Sequence, residues 1–390
     1  MTAPARSPIA LAFGGLFSLA AAMGIGRFVY TPILPFMTEA LNLPADDAGL
    51  IASANFLGYL AGALAGAARA LPGSPRVWFL GGLLVSALTS AAMALTTSLP
   101  AFLLIRFVSG AASAFVLVFS TSLVLERLAA AGRAGLSALH FAGVGCGIAS
   151  SALLVAAVAH LSADWKMLWL ASSGGTLVLL AFAAVLVPPE RTTVAPEAQA
   201  PATPARAAAV AGGGRTRLIL AYGLFGFGYV ITATFVNAIA RAAPELQQTE
   251  PFVWLTVGLC ATPSIYLWNR IGTRLGARRA FALACLLESA GVALTALTRE
   301  PTLFLLGAGL LGATFMGITA LGLMEARREA SAGGPAAIRQ MLAVLTASFG
   351  LGQVAGPWFA GLAHHATGSF AAASLAAAAS LLVAAGLVLK

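Results

Sequence analysis

Apolar runs long enough to cross a bilayer repeat from one end of this chain to the other. The first, 9–37, contains one charge, Arg27. Eleven more follow, near 47–69, 77–97, 100–124, 134–160, 165–187, 216–240, 250–270, 279–298, 302–324, 337–363 and 368–389. About 20 apolar residues in a helix span roughly 30 Å of hydrocarbon, and a helix satisfies its own backbone polar groups where water is absent. The pattern predicts an all-α membrane protein of twelve transmembrane helices. Only 9% of the residues are charged, against about 25% in soluble domains. Arg6 ahead of an apolar run, with Ala20, Ala21 and Ala22 as small residues, has the outline of a cleaved signal peptide. The apolar pattern continues past Ala22, however, so an uncleaved first helix is expected.

One connection is long. Residues 188–214 hold Pro188, Pro189, Pro196, Pro201, Pro204 and the triplet Gly212, Gly213 and Gly214, a composition that buries no core and reads as a flexible linker. It divides the chain into a first bundle, 1–187, and a second, 215–390. With the N-terminus inside, seventeen Lys and Arg residues fall on the cytoplasmic side and three, Lys166, Arg241 and Arg299, on the other; Arg27 and Arg106 lie within spans. That asymmetry puts both termini in the cytoplasm. It also accounts for the net charge of +9 without nucleic acid, because the basic residues are spread over short loops at span ends. Cys146, Cys260 and Cys285 lie in separate apolar runs and read as inert buried thiols.

The two halves echo each other. Gly24-Ile25-Gly26-Arg27-Phe28 in the first span is matched by Gly226-Phe227-Gly228-Tyr229-Val230 in the seventh. Glu126-Arg127 ends the fourth span as Glu325-Ala326-Arg327 ends the tenth, and Gly143-Val144-Gly145 in the fifth corresponds to Gly350-Leu351-Gly352 in the eleventh. A duplicated six-helix unit is the economical reading, and transporters built this way place their site at the repeat interface. Small residues four apart (Gly58, Gly62 and Gly66; Gly143 and Gly147; Gly352 and Gly356) mark close helix approaches.

Over essentially its whole length the chain resembles the major facilitator superfamily. Gly62-Ala63-Leu64-Ala65 fits that family's loop after the second helix, with Gly66 where an aspartate is usual; Arg274-Leu275-Gly276-Ala277-Arg278-Arg279 is the counterpart in the second half, with Thr273 at the acidic position. Arg106-Phe107-Val108-Ser109-Gly110 is similar to the fourth-helix R-x-x-x-G motif. Gly143-Val144-Gly145-Cys146-Gly147 approaches the antiporter signature of the fifth helix but lacks its proline. Gly26-Arg27-Phe28-x-Tyr30-Thr31-Pro32 together with His140-Phe141-x-Gly143-Val144-Gly145 resembles the bacterial YbfB/YjiJ-type branch. The resemblance implies two pseudo-symmetric six-helix bundles in the bacterial cytoplasmic membrane, acting as a monomer, with spans 1, 4, 7 and 10 around a central cavity.

On that frame the substrate-binding candidates are Arg27, Tyr30, Thr31, Asn55, Tyr59, Arg106, Tyr229, Asn237 and Trp254. A charged side chain at the bilayer centre costs roughly 2.5–3.5 kcal/mol and marks a pathway, and arginine keeps its charge. No carboxylate falls near the middle of spans 1, 4, 7 or 10. An arginine fork pairs with a carboxylate, phosphate or sulfonate, so a small organic anion is the expected solute; the competing reading has Arg106 pinning backbone carbonyls. His140 and Glu288 are the candidates for proton coupling. Glu126, Arg127, Glu325, Arg327, Arg274 and Arg278 form the expected gate region.

Enzyme chemistry has no footing: there is no H-E-x-x-H, no G-x-S-x-G and no metal-ligand spacing, and neither a cofactor nor a metal is implied. The expectation is a secondary active transporter of a small organic anion, linked to protons and working by alternating access. The alternatives are a broad-specificity drug or metabolite efflux antiporter and a non-transporting membrane receptor or scaffold.

Overall fold

Every regular element of the chain is helical among the residues that the structure, a computed structural model, describes: 7–66, 71–162, 164–189 and 213–390. Most of the expected linker, 190–212, lies outside them, as do Arg6, Arg69, Arg191 and Arg206. Nine spans are continuous in length and apolar character: Pro8–Leu41, Ala45–Gly66, Pro75–Met93, Leu99–Ala130, Ala134–Leu161, Trp165–Leu186, Gly213–Ala242, Ala277–Leu297 and Ala371–Leu389. The helices Glu250–Ala261 and Ser264–Leu275 meet at a bend of 45° beside Pro263 and together make one broken span. The 67-residue stretch Pro301–Thr367 holds two helices, Pro301–Ala330 and Gly334–Thr367, parted by a short turn and by Gly334 at φ 72°. Counted separately they make twelve spans, numbered here in chain order.

Local sequence sets the ends of several spans. Ser7, Ser74, Asp164 and Glu300 accept hydrogen bonds from the first backbone N–H groups of spans 1, 3, 6 and 10, which are orphan donors otherwise. Two such bonds, from Thr302 and Leu303, hold the exposed Glu300 carboxyl below its usual range. Asn42 and Gly368 close spans 1 and 11 in the left-handed conformation.

Glycine lets the spans approach. A Cβ on Gly143 would lie 2.2 Å from the Leu16 carbonyl oxygen, and one on Gly147 would lie 2.5 Å from that of Ala20, so span 5 rides directly on span 1. Gly352 on the Gly223 carbonyl, at 2.1 Å, repeats this between spans 11 and 7. Gly58 and Gly110 bring span 2 against span 4, each with a carbonyl oxygen 1.9 Å from the added carbon. Gly66, at 3.4 Å from Val118, is in ordinary contact and does not belong to this set.

The same device forms the seam between spans 1–6 and spans 7–12. Gly145 packs on Thr262 and Gly258 on Ala149, joining spans 5 and 8; Gly49 meets Pro357 and Gly361 meets Ala45, joining spans 2 and 11. Polar contacts across the seam gather at mid-depth and on the side away from Ser7 and Lys390, the distal side. Thr31 Oγ1 donates to the Ala233 carbonyl at 2.6 Å, Ser53 Oγ to that of Val354 at 2.7 Å, and Arg241 lies 3.5 Å from Glu39. His365 stands 3.9 Å from Asp46.

Candidate functional site

Span 1 breaks at Arg27, and its sequence says why. Pro32 has no N–H for the Phe28 carbonyl, and Thr31 takes that carbonyl instead at 3.2 Å. Just before it, Ala20–Ile25 winds as a π-helix, with the Gly26 N–H reaching the Ala21 carbonyl at 2.8 Å. The loosened turn between them leaves carbonyls to be satisfied, and irregular backbone at membrane depth survives only when protein covers it. Arg106 supplies the cover from span 4: Nη1 donates to the Gly26 carbonyl at 3.2 Å and Nη2 to that of Arg27 at 2.9 Å, while Ser109 Oγ adds a bond to Gly26 at 3.2 Å. Asn55 Nδ2 in turn holds the Arg106 carbonyl at 3.0 Å.

Arg27 is used differently. Its side chain is 3% exposed, and its Nε and Nη2 have no hydrogen-bond partner. No carboxylate pairs with it among the described residues. Rings surround it instead: Cζ lies 4.0 Å from the ring centre of Tyr59, 4.6 Å from Phe56 and 5.3 Å from Phe28. Cation–π contact offsets part of the cost of burying the charge, but a buried donor without an acceptor is costly. The two bare nitrogens share one edge of the guanidinium, the edge that takes both oxygens of a carboxylate.

Across the seam stands Tyr229, the counterpart of Arg27 in the repeated motif. Its ring lies parallel to Phe315 (5.6 Å, 7°) and Phe349 (5.8 Å, 3°), and Gln353 Nε2 donates to its hydroxyl. Phe28 bridges the two sides, 6.3 Å from Trp254 and 6.4 Å from Phe315. On the Tyr229 side of Phe28 is a cavity of roughly 10 Å³, room for about one water, lined by Phe28, Ile148, Tyr229, Ala233, Trp254 and Phe315, among others, and not by Arg27. Trp254 Nε1, Gln353 Oε1 and Thr232 Oγ1 are buried without hydrogen-bond partners.

Of the expected substrate contacts, the structure thus brings together Arg27, Tyr59, Tyr229 and Trp254. Tyr30 and Thr31 face other backbone, their hydroxyls on the carbonyls of Ala48 and Ala233. Asn55 and Arg106 brace the break from behind. Asn237 lies elsewhere: it donates to Glu250 Oε1 at 2.7 Å and lines a distal cavity of about 330 Å³ with His160, Arg241 and Pro251. Its partner Glu250, like Gln353, Phe315 and Phe349, is missing from the sequence-based candidates.

His140 is fully buried inside the first bundle against Gly15, with Nε2 3.5 Å from Ser120 Oγ. Glu288 is fully buried in the second bundle beside the Thr314 hydroxyl, with neither carboxyl oxygen in a well-aligned hydrogen bond, and lies within electrostatic reach of Tyr229. In the gate region, Glu325 is 2.6 Å from Arg278 Nε and 3.7 Å from Arg328, and Arg278 also holds Glu329. Glu325 does not pair with the exposed Arg327, because residues two apart on a helix point away from each other. Glu126 is exposed and makes no ion pair among the described residues, whereas Arg127 Nη1 donates to the Pro188 carbonyl at 3.0 Å. Arg274 is exposed. The Arg278 network lies within the second bundle and does not bridge the seam.

Residues 19–389 match the family described as "Uncharacterised MFS-type transporter YbfB". A variant of the nucleoside transporter NupG is similar in structure, with a TM-score of 0.76 and 16% identity over 98% of this chain and 99% of that one. NupG itself gives 0.72 and 16%, over 98% of each chain. A bacterial homolog of the human lysosomal transporter Spinster, in an inward-facing and occupied conformation, gives 0.69 and 13%, over 100% and 97%. At such identities the likeness is one of fold. None of the curated proteins compared with the chain matches it.

Proposed function

Given that this chain belongs to the YbfB-type family of major facilitator superfamily transporters, we propose that it moves a small organic anion across the bilayer by alternating access, with Arg27 as the principal contact. The carrying observation is a permanently charged side chain, 3% exposed, that offers two unpartnered donors and has no carboxylate paired with it among the described residues. An anion that accepts both bonds removes the cost of leaving them unmade. Arg106, whose terminal nitrogens hold the Gly26 and Arg27 carbonyls, fixes the turn on which Arg27 is presented. The glycine seam supplies two surfaces able to slide, and its polar contacts close the distal side. The terminal side is taken as the cytoplasm, from the distribution of Lys and Arg.

We infer that protons accompany the anion on Glu288 and not on His140. Glu288, beside Thr314 and without an ion-pair partner among the described residues, lies within electrostatic reach of Tyr229, which faces Arg27 across the seam, whereas His140 packs away from it. A lone carboxyl inside a membrane protein changes protonation when water or a charge reaches it.

The reading is tested by thermal stabilisation of the purified protein against organic acids, organic cations and neutral compounds, wild type beside Arg27→Ala. Acids raise the melting temperature of the wild type and lose that effect in the variant. Two charge-assisted hydrogen bonds contribute about 3 kcal/mol, so the apparent affinity falls by about two orders of magnitude. Stabilisation by cations alone, unchanged in Arg27→Ala, would defeat the proposal.

A further inference from the structure

We propose that the anion is aromatic: a planar ring bearing a carboxylate, held by its acid group on Arg27 and by its ring between the two halves. This rests on the anion reading above and narrows it to a chemical class.

The argument starts from the shape of what is left open at Arg27. Its guanidinium lies against the rings of Tyr59, Phe56 and Phe28, while Nε and Nη2, on one edge, remain free. An acid meeting that edge must lead its body along the ring surfaces beside it. Tyr229 and Phe315, stacked parallel with their ring centres 5.6 Å apart, stand on the other side, and Phe28 links the two sets by its contacts with Phe315 and Trp254. The present cavity admits about one water, so a larger body enters only by parting Phe28 from Phe315, a contact between spans 1 and 10 and therefore between the halves. A flat ring is the body that needs the smallest separation and lies against the parted ring surfaces once inside. Aromatic pairs gain beyond their buried area, a gain that a saturated ring of the same size does not make. Parting this contact also ties occupancy to the relative position of the bundles.

Trp254, which lines this cavity, keeps its Nε1 as a buried donor without a hydrogen-bond partner.

Calorimetric titration of the full-length protein in detergent tests this with benzoate, cyclohexanecarboxylate and neutral benzamide, for wild type, Arg27→Ala and Phe315→Leu, each checked by its melting curve. Benzoate binds the wild type about tenfold more tightly than cyclohexanecarboxylate. Phe315→Leu collapses that ratio toward one with little change for the saturated acid, and Arg27→Ala loses both acids. Quenching of Trp254 fluorescence by benzoate, absent in Trp254→Phe, reports the ring's position independently of heat. Equal binding of the two acids, both lost in Arg27→Ala, overturns the aromatic class and leaves the anion reading in place. Failure of every acid to bind, or benzamide binding as tightly as benzoate, overturns both.

Discussion

Two arginines reach the middle of this protein, and their surroundings give them different tasks. Arg106 spends its terminal nitrogens on the carbonyls of Gly26 and Arg27, and Arg27 keeps a free edge. Sequence reasoning saw both charges, because an ionised side chain inside an apolar run stands out whatever the helix rotation. It left open whether Arg106 meets the solute or pins backbone carbonyls, which depends on where a π-turn and Pro32 leave unsatisfied carbonyls. Glu288 was visible for the same reason as the arginines, and its full burial beside Thr314 became clear only from the packing. If it carries the coupled proton, a pH-sensitive dye inside proteoliposomes records proton movement with acid transport by the wild type. That signal is abolished in Glu288→Gln, whereas acid binding in detergent persists. Undiminished proton movement in the variant would remove Glu288 from the mechanism.

At the scale of the element, the helices were legible and their facing was not. Span order and approximate limits follow from run length, and the glycine ladders marked close approaches without their partners, which the structure gives as spans 5 on 1 and 11 on 7. Phe315 and Phe349 read in sequence as ordinary apolar residues, since an apolar run has no polar face to fix its rotation; only the stack on Tyr229 sets them apart. Similarly, Glu325 finds its partner in Arg278 of the neighbouring span, which proximity in sequence could not supply. Span 2 is held to span 4 by Gly110, where a Cβ would meet the Asn55 carbonyl oxygen at 1.9 Å. Gly110→Ala must therefore separate the two spans and disturb the Asn55 to Arg106 bond. Overpacking of this kind costs about 1–3 kcal/mol, and the melting temperature in detergent falls. Gly81→Ala, with nothing within 4 Å of the added carbon, leaves it unchanged or raises it. Equal melting curves for the two variants would show that this contact does not fasten the pair.

For the whole molecule, two kindred halves of membrane helices place Arg27 and Tyr229, equivalent positions of one repeated motif, on opposite sides of a seam lined with glycine. The sequence echo pointed to that equivalence, and in the alternating-access mechanism proposed above the contacts that close the distal side break as the halves rock, with the charged residue staying at the pivot. Polar bonds at Thr31 and Ser53 and the Glu39 to Arg241 pair are the distal contacts that such a motion exchanges. The most direct measurement is counterflow of labelled benzoate in proteoliposomes preloaded with unlabelled acid, wild type against Arg27→Ala at matched protein density. The account predicts exchange by the wild type and a rate at least about tenfold lower in the variant, as losing one charge-assisted bond alone requires. Exchange by Arg27→Ala at the wild-type rate would contradict it.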